Sequence, residues 1–145
     1  MTFAAARRML SGTGLCLSLA APALATADLG VPPEHTKGVV SYVSGGLGAD
    51  QAAEMRRDAL SFPLGLEFVH GKKVEPGMYL ANVDVTIRTP SGRVLLSTRS
   101  EGPYLLATLP DGLYRISAEH AGRTETRSVN VEHGRHQMIV FDWAS

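Results

Sequence analysis

Apolar and polar residues alternate with a period of two over most of the chain. Every second side chain is apolar in Leu64–Phe68, Val83–Ile87 and Tyr114–Ala118, as in strands with one buried face. Further β-prone runs are 39–43, 94–96, 104–109, 124–131 and 137–143. Turn sequences rich in Gly, Pro and Asp separate these runs. The pattern predicts a mainly β fold, an antiparallel β-sandwich of about seven strands.

One segment, Asp50–Leu60, has helical periodicity instead. Ala52, Met55 and Ala59 recur at i, i+3 and i+7 and form a single apolar face. Acidic residues stand early and two arginines stand late, as the helix dipole prefers, and Pro63 ends the pattern. We therefore predict one N-terminal α-helix that packs its Met/Ala face against the sandwich.

The first 27 residues predict a cleavable signal peptide. Arg7 and Arg8 precede Met9–Ala21, which has no charged residue, and small-x-small motifs follow at 23–25 and 25–27. This apolar stretch is shorter than the roughly 18 residues that a membrane-spanning helix needs. We expect cleavage near residues 25–27, a periplasmic or secreted mature protein, and no stable membrane insertion after cleavage.

Composition then restricts the partners. The chain has 14 basic and 14 acidic residues, and the predicted signal peptide takes two arginines, no acid and the only cysteine, Cys16. The mature chain therefore carries a formal charge of −2 and has no disulfide. Nucleic acid is not expected as a partner, because phosphate neutralisation requires a basic face.

A motif in Ser100–Ile116 resembles the signature of carboxypeptidase regulatory-like domains. These have a transthyretin-like, or prealbumin-like, β-sandwich. The matching residues are Gly102, Tyr104, Leu109, Pro110, Gly112 and Tyr114. Pro110 and Gly112 favour a tight turn, and Tyr114 is placed as in a tyrosine corner, where a buried hydroxyl bonds to the backbone. Pro103 has no backbone N–H to donate to a neighbouring strand, so the sequence predicts that it lies at the edge of a sheet or at a bulge.

The resemblance covers roughly Leu80–Trp143 and sets the predicted limits of the domains. Residues 1–27 are the signal peptide, 28–38 a flexible leader and 80–145 the carboxypeptidase regulatory-like sandwich. Residues 39–79 are a helix-containing N-terminal addition, which resembles those of small exported proteobacterial proteins.

His133 and His136, in a predicted loop, are the candidate metal ligands. Arg135 between them disfavours a cation, and the sequence indicates no acceptor that would orient either ring. No nucleophile elbow occurs. The C-terminal Tyr-Arg-Gly-Ser of the hydroxyisourate hydrolases, enzymes with a transthyretin-like fold, is absent. We therefore predict no catalytic residue and no cofactor.

These observations favour a non-catalytic periplasmic or envelope protein, an adhesive or accessory module that binds another envelope protein. A binder of a metal or small ligand at the His133/His136 loop is the alternative, and an unrecognised hydrolase is the third hypothesis. An exposed strand edge or apolar patch would favour the first hypothesis. A deep pocket with converging histidines and carboxylates would favour the others.

Overall fold

The computed structural model describes residues 32–71 and 78–144. The predicted signal peptide and residues 28–31 of the predicted leader lie outside this range. Nine strands are described: β1 (His35–Lys37), β2 (Val40–Gly45), β3 (Leu64–Val69), β4 (Asp84–Arg88), β5 (Val94–Arg99), β6 (Tyr104–Thr108), β7 (Gly112–His120), β8 (Arg123–Val131) and β9 (Gln137–Asp142). One helix, α1 (Ala49–Asp58), continues into a 3₁₀ turn, Ala59–Ser61.

The strands form two sheets, and the fold is mainly β. Sheet A has the order β1-β2-β6-β3-β9, and sheet B has the order β5-β4-β7-β8. The structure thus has more strands than the sequence pattern predicts, and one pair departs from the antiparallel expectation, because β3 runs parallel to β9. All of sheet B lies between these two strands in the chain, which leaves ample length for the crossover that a parallel pair needs.

The inner faces of the two sheets enclose the main core. Alternate residues of each strand point inward, so Leu64, Leu66 and Phe68 of β3 are fully buried against side chains of sheet B. Phe68, Phe141 and Trp143 form an aromatic group with centroid separations of 5.9–6.3 Å. Trp143 donates its indole N–H to the carbonyl of Arg123 at 3.1 Å, which holds the segment after β9 against β8.

Both segments that the sequence divides at residue 80 contribute to sheet A. Strands β2 and β3 come from the predicted N-terminal addition, and they pair with β6 on its two sides. Strand β1, within the predicted flexible leader, pairs antiparallel with β2. The predicted addition therefore supplies strands to the sheet itself.

Helix α1 covers the outer face of sheet A. Met55 is fully buried and Ala59 is 3% exposed, and both pack with Val43, Tyr104 and Leu106 of the sheet. This is the apolar face that the sequence predicts. No helix in the described part of the chain is long and apolar enough to cross a bilayer.

Candidate functional site

The turn of the sequence motif is fixed by a tyrosine hydroxyl. Leu109–Gly112 connects β6 to β7, and Tyr114, two residues later, is 7% exposed. Its hydroxyl donates to the carbonyl of Pro110 at 2.5 Å. Burial raises the pKa of Tyr114, so the hydroxyl keeps the proton that it donates. Tyr114 therefore makes the contact expected of a tyrosine corner.

Gly102 and Pro103 lie just before β6, in the middle of sheet A. The expectation of an edge position for Pro103 is wrong, because β6 lies between β2 and β3. Proline is tolerated here since it precedes the strand, and its carbonyl still accepts the Phe68 N–H at 2.9 Å. A Cβ on Gly102 would lie 2.3 Å from the carbonyl oxygen of Gly45. Gly102 therefore permits two backbone segments to approach closely.

Tyr104 lies under α1 rather than in the main core. It is 1% exposed, its hydroxyl donates to Oε1 of Glu67 at 3.1 Å, and Nη1 of Arg56 approaches the same hydroxyl at 3.4 Å. Burial raises the pKa of Tyr104 well above its usual range. The hydroxyl thus stays neutral and links the helix, through Arg56, to a carboxylate on β3.

Three loops at one end of the sandwich surround a cleft of about 310 Å³. They precede β3, join β6 to β7, and join β8 to β9. The lining residues are Leu60, Ser61, Phe62, Pro63, Thr108, Leu109, Asp111, His133, Gly134, Arg135 and His136. The cleft volume lies at the lower limit for small-molecule sites, which are clefts of about 300–1,000 Å³.

The cleft brings His133 and His136 together with Asp111, which the sequence does not connect with them. Nδ1 of His136 lies 2.8 Å from the carbonyl oxygen of Phe62. Because a carbonyl only accepts, Nδ1 carries the proton, and in the neutral ring Nε2 keeps its lone pair. The expectation that no acceptor orients either ring is therefore wrong for His136, since its acceptor comes from 74 residues away in the chain.

The arginine that lines the cleft has an acidic partner. Nη1 of Arg135 pairs with Oε2 of Glu132 at 3.3 Å, and both side chains are largely exposed. Among residues 32–71 and 78–144, no group of three or more His, Cys, Asp or Glu side chains is placed to hold a metal. The described geometry thus offers one oriented imidazole, with a second histidine and a carboxylate on the same cleft.

A second feature that the sequence does not reveal is a close contact between β3 and β9 next to His136. Gly65 of β3 pairs with Met138 of β9, and a Cβ on Gly65 would lie 2.9 Å from the Met138 thioether and 3.4 Å from Cε1 of His136. Glycine therefore leaves room for the Met138 and His136 side chains on the outer face of sheet A. No local pattern marks this, because the partner strand is distant in sequence.

Comparison with known proteins assigns no family. No protein-family model matches the chain, and no curated protein matches it. Among solved structures, the chain is similar to the Bacillus anthracis TIE protein, with 15% identity and a TM-score of 0.38. The similarity covers 57% of this chain and only 16% of that chain.

Proposed function

We propose that this protein is a non-catalytic accessory module, exported to the periplasm or beyond, that binds another envelope protein through strand β9. We further assign it to the carboxypeptidase regulatory-like type, on the motif that ends in Tyr114. The observation that carries the binding proposal is that β9 is an outer strand of sheet A with exposed apolar side chains. Met138 is 36% exposed and Val140 is 43% exposed.

Among the strands of residues 32–71 and 78–144, the other three outer ones carry features that discourage pairing with another chain. Strand β1 has only three residues, β5 ends in an arginine, and β8 carries Arg123, Glu125 and Arg127. Strand β9 has six residues and no charge before its last position, Asp142. Because long apolar edges template strand addition unless they are blocked by charge or proline, β9 is the edge best suited to take a partner strand.

The hydrogen bonds between β9 and β3 show which backbone groups of β9 point away from β3, where a partner strand would bind. The N–H of Gln137 donates to Pro63, and the N–H of Trp143 donates to Val69, so odd-numbered positions face β3. Backbone groups alternate in direction along a strand. The N–H and C=O groups of Met138 and Val140 therefore lie on the opposite side, at the edge of sheet A.

The test uses proline at this edge. Val140→Pro removes an N–H that is not needed for pairing with β3, so the melting temperature should stay near that of the native protein, while partner binding is lost. A photo-crosslinker placed at position 138 of the exported protein should give one discrete adduct in native envelopes. That adduct should disappear with Val140→Pro and persist with Val94→Pro, on an outer strand of sheet B. An adduct that is indifferent to Val140→Pro contradicts the proposal.

Export has its own test. The small residues at 23–27 lead us to expect a mature N-terminus at Thr26 or Asp28. N-terminal sequencing of the protein from the periplasmic fraction or the medium would identify it. A membrane-retained chain that still begins at Met1 would overturn the assignment of residues 1–27.

A second candidate function, binding of a metal or small ligand in the cleft, is favoured by the orientation of His136. Histidines that bind metals usually donate their other ring N–H to a carbonyl or carboxylate, as His136 does to Phe62. Calorimetric titration with zinc, copper and nickel tests this, with His133→Ala/His136→Ala as the variant and His35→Ala as the matched control. Tight stoichiometric binding that only the double variant loses would establish the site. Metal-dependent hydrolysis lost in the same variant would refute the non-catalytic proposal.

A further inference from the structure

The outer face of sheet B carries two arginines directly opposite each other. Arg88 of β4 pairs in register with Arg115 of β7, and both are exposed. Their neighbours Ile87, Tyr114 and Ile116 point into the core. The alternation of strand side chains therefore places both guanidinium groups on the outer face.

We expect this arrangement to cost stability in the absence of a ligand. Like charges directly opposite on neighbouring strands repel, whereas opposite charges attract. At the other end of the same face Asp84 lies opposite Glu119 of β7, but there Arg99 compensates the charge of Asp84 through bidentate contacts of 2.8 and 3.0 Å. Within the part of the chain that the structure describes, neither Arg88 nor Arg115 forms an ion pair.

Hydroxyl groups border the arginine pair. Thr86 of β4 pairs in register with Ser117 of β7, one step along the same outer face, and Ser128 of β8 lies opposite Arg115. Leu113, two residues before Arg115, is 61% exposed on this face. The patch therefore combines paired cations, hydroxyls that donate or accept hydrogen bonds, and one apolar side chain.

We propose that this patch, formed by Arg88, Arg115, Thr86, Ser117, Ser128 and Leu113, binds an acidic polysaccharide. Guanidinium groups hold carboxylates in bidentate geometry. Serine and threonine hydroxyls suit sugar hydroxyls, and Leu113 suits the C–H surface of a sugar ring.

The open face favours a polymer over a single acidic sugar. One carboxylate held by exposed arginines gains little in water, because solvent and salt screen the attraction. A chain with regularly repeated carboxylates makes each further contact intramolecular and so raises the overall affinity. The polysaccharide site lies on sheet B, so it is independent of the proposed partner edge on sheet A.

The experiment compares two doubly substituted proteins of equal net charge. Arg88→Gln/Arg115→Gln removes the pair, and Arg57→Gln/Arg99→Gln removes two exposed arginines that have acidic partners. The probes are polygalacturonate, neutral dextran and phosphatidylglycerol vesicles, at low and high salt. We expect native and control proteins to bind polygalacturonate at low salt, and the Arg88/Arg115 variant to bind roughly tenfold more weakly or worse.

Several outcomes would overturn the proposal. These are absence of binding to polygalacturonate, equal loss in both variants, and binding to dextran. Binding to the vesicles in preference to the polymer would assign the patch to an anionic lipid surface instead.

A ligand-free measurement tests the premise separately. At low salt, Arg88→Gln should raise the melting temperature, because it relieves the repulsion from Arg115, whereas Arg99→Gln should not. An unchanged or lowered melting temperature for Arg88→Gln would show that the two arginines do not oppose folding, and would contradict the proposed polysaccharide site.

Discussion

At the scale of single residues, the motif near Tyr114 combines two different constraints. Gly112 and Tyr114 act through turn geometry and one hydrogen bond, which is why their spacing in the sequence is informative. Gly102 acts through a close approach to Gly45, and this backbone contact joins segments that are far apart in the chain. The sequence predicts the first constraint because it is local, whereas the second depends on how distant strands come together.

The close approach at Gly102 predicts a steric penalty. Gly102→Ala should destabilise the protein by about 1–3 kcal/mol, because the new methyl group meets rigid backbone at Gly45. Urea denaturation measures this, and Glu101→Ala at the neighbouring exposed position should change stability by less than about 0.5 kcal/mol. If both variants unfold at the same urea concentration, the backbone separation is wider than described.

Two substitutions of Tyr114 distinguish the contribution of its ring to stability from that of its hydroxyl. Tyr114→Phe keeps the packing but removes the donor to Pro110, so it should cost about 0.5–1.5 kcal/mol. Tyr114→Ala also leaves a cavity and should cost about 3–5 kcal/mol. Denaturation curves of the two variants give the difference directly. A Tyr114→Ala protein as stable as the native one would mean that the ring is not part of the core.

At the scale of elements, periodicity identifies helix α1 and most strands but not their pairing. Alternation in β7 is clear because one face meets the core and the other meets solvent. Strand β6 is buried over four of its five residues, since α1 covers its outer face, and it reads as a continuous apolar run. The parallel pair β3–β9 has no local signal, because register between distant strands is set by packing.

The burial of Met55, in α1, predicts a large cost for placing a charge there. Met55→Asp would bury an unpaired carboxylate against Val43 and Leu106. Truncation of a buried methionine to alanine typically lowers the free energy of unfolding by about 2–5 kcal/mol, and we expect Met55→Asp to lower it further. Leu60→Asp, at a position that is 76% exposed, is the matched control and should leave thermal stability nearly unchanged. A folded Met55→Asp protein that fails only in partner binding would make the helix an interaction surface.

At the scale of the whole molecule, the sequence predicts the mainly β sandwich class, but not the surfaces that we propose as functional. The cleft joins three loops that are separate in the chain, and Phe62 orients His136 across 74 residues. The Arg88–Arg115 pair likewise depends on the register of β4 with β7. Each surface is formed by residues that are far apart in the chain, so local sequence patterns do not predict it.

Two buried tyrosines give the whole fold a pH dependence. Burial raises the pKa values of Tyr104 and Tyr114 above the unfolded value of about 10. Above pH 10 the unfolded chain therefore binds fewer protons than the native protein, and stability falls as pH rises. Urea denaturation from pH 8 to pH 11 should show this loss, and Tyr104→Phe should make it smaller. A flat profile for the native protein would contradict the burial of both hydroxyls.

The parallel pairing of β3 with β9 has a consequence for the order of folding. Leu64 pairs with Gln137, roughly half the chain later, and contacts between such distant segments form slowly because closing the intervening loop costs entropy. Sheet A consequently stays incomplete, with β3 lacking one neighbour, until the last strand has been synthesised. We expect the core around Phe68 to close only after β9, which carries Phe141, has been synthesised, and such late closure would suit the export that we propose.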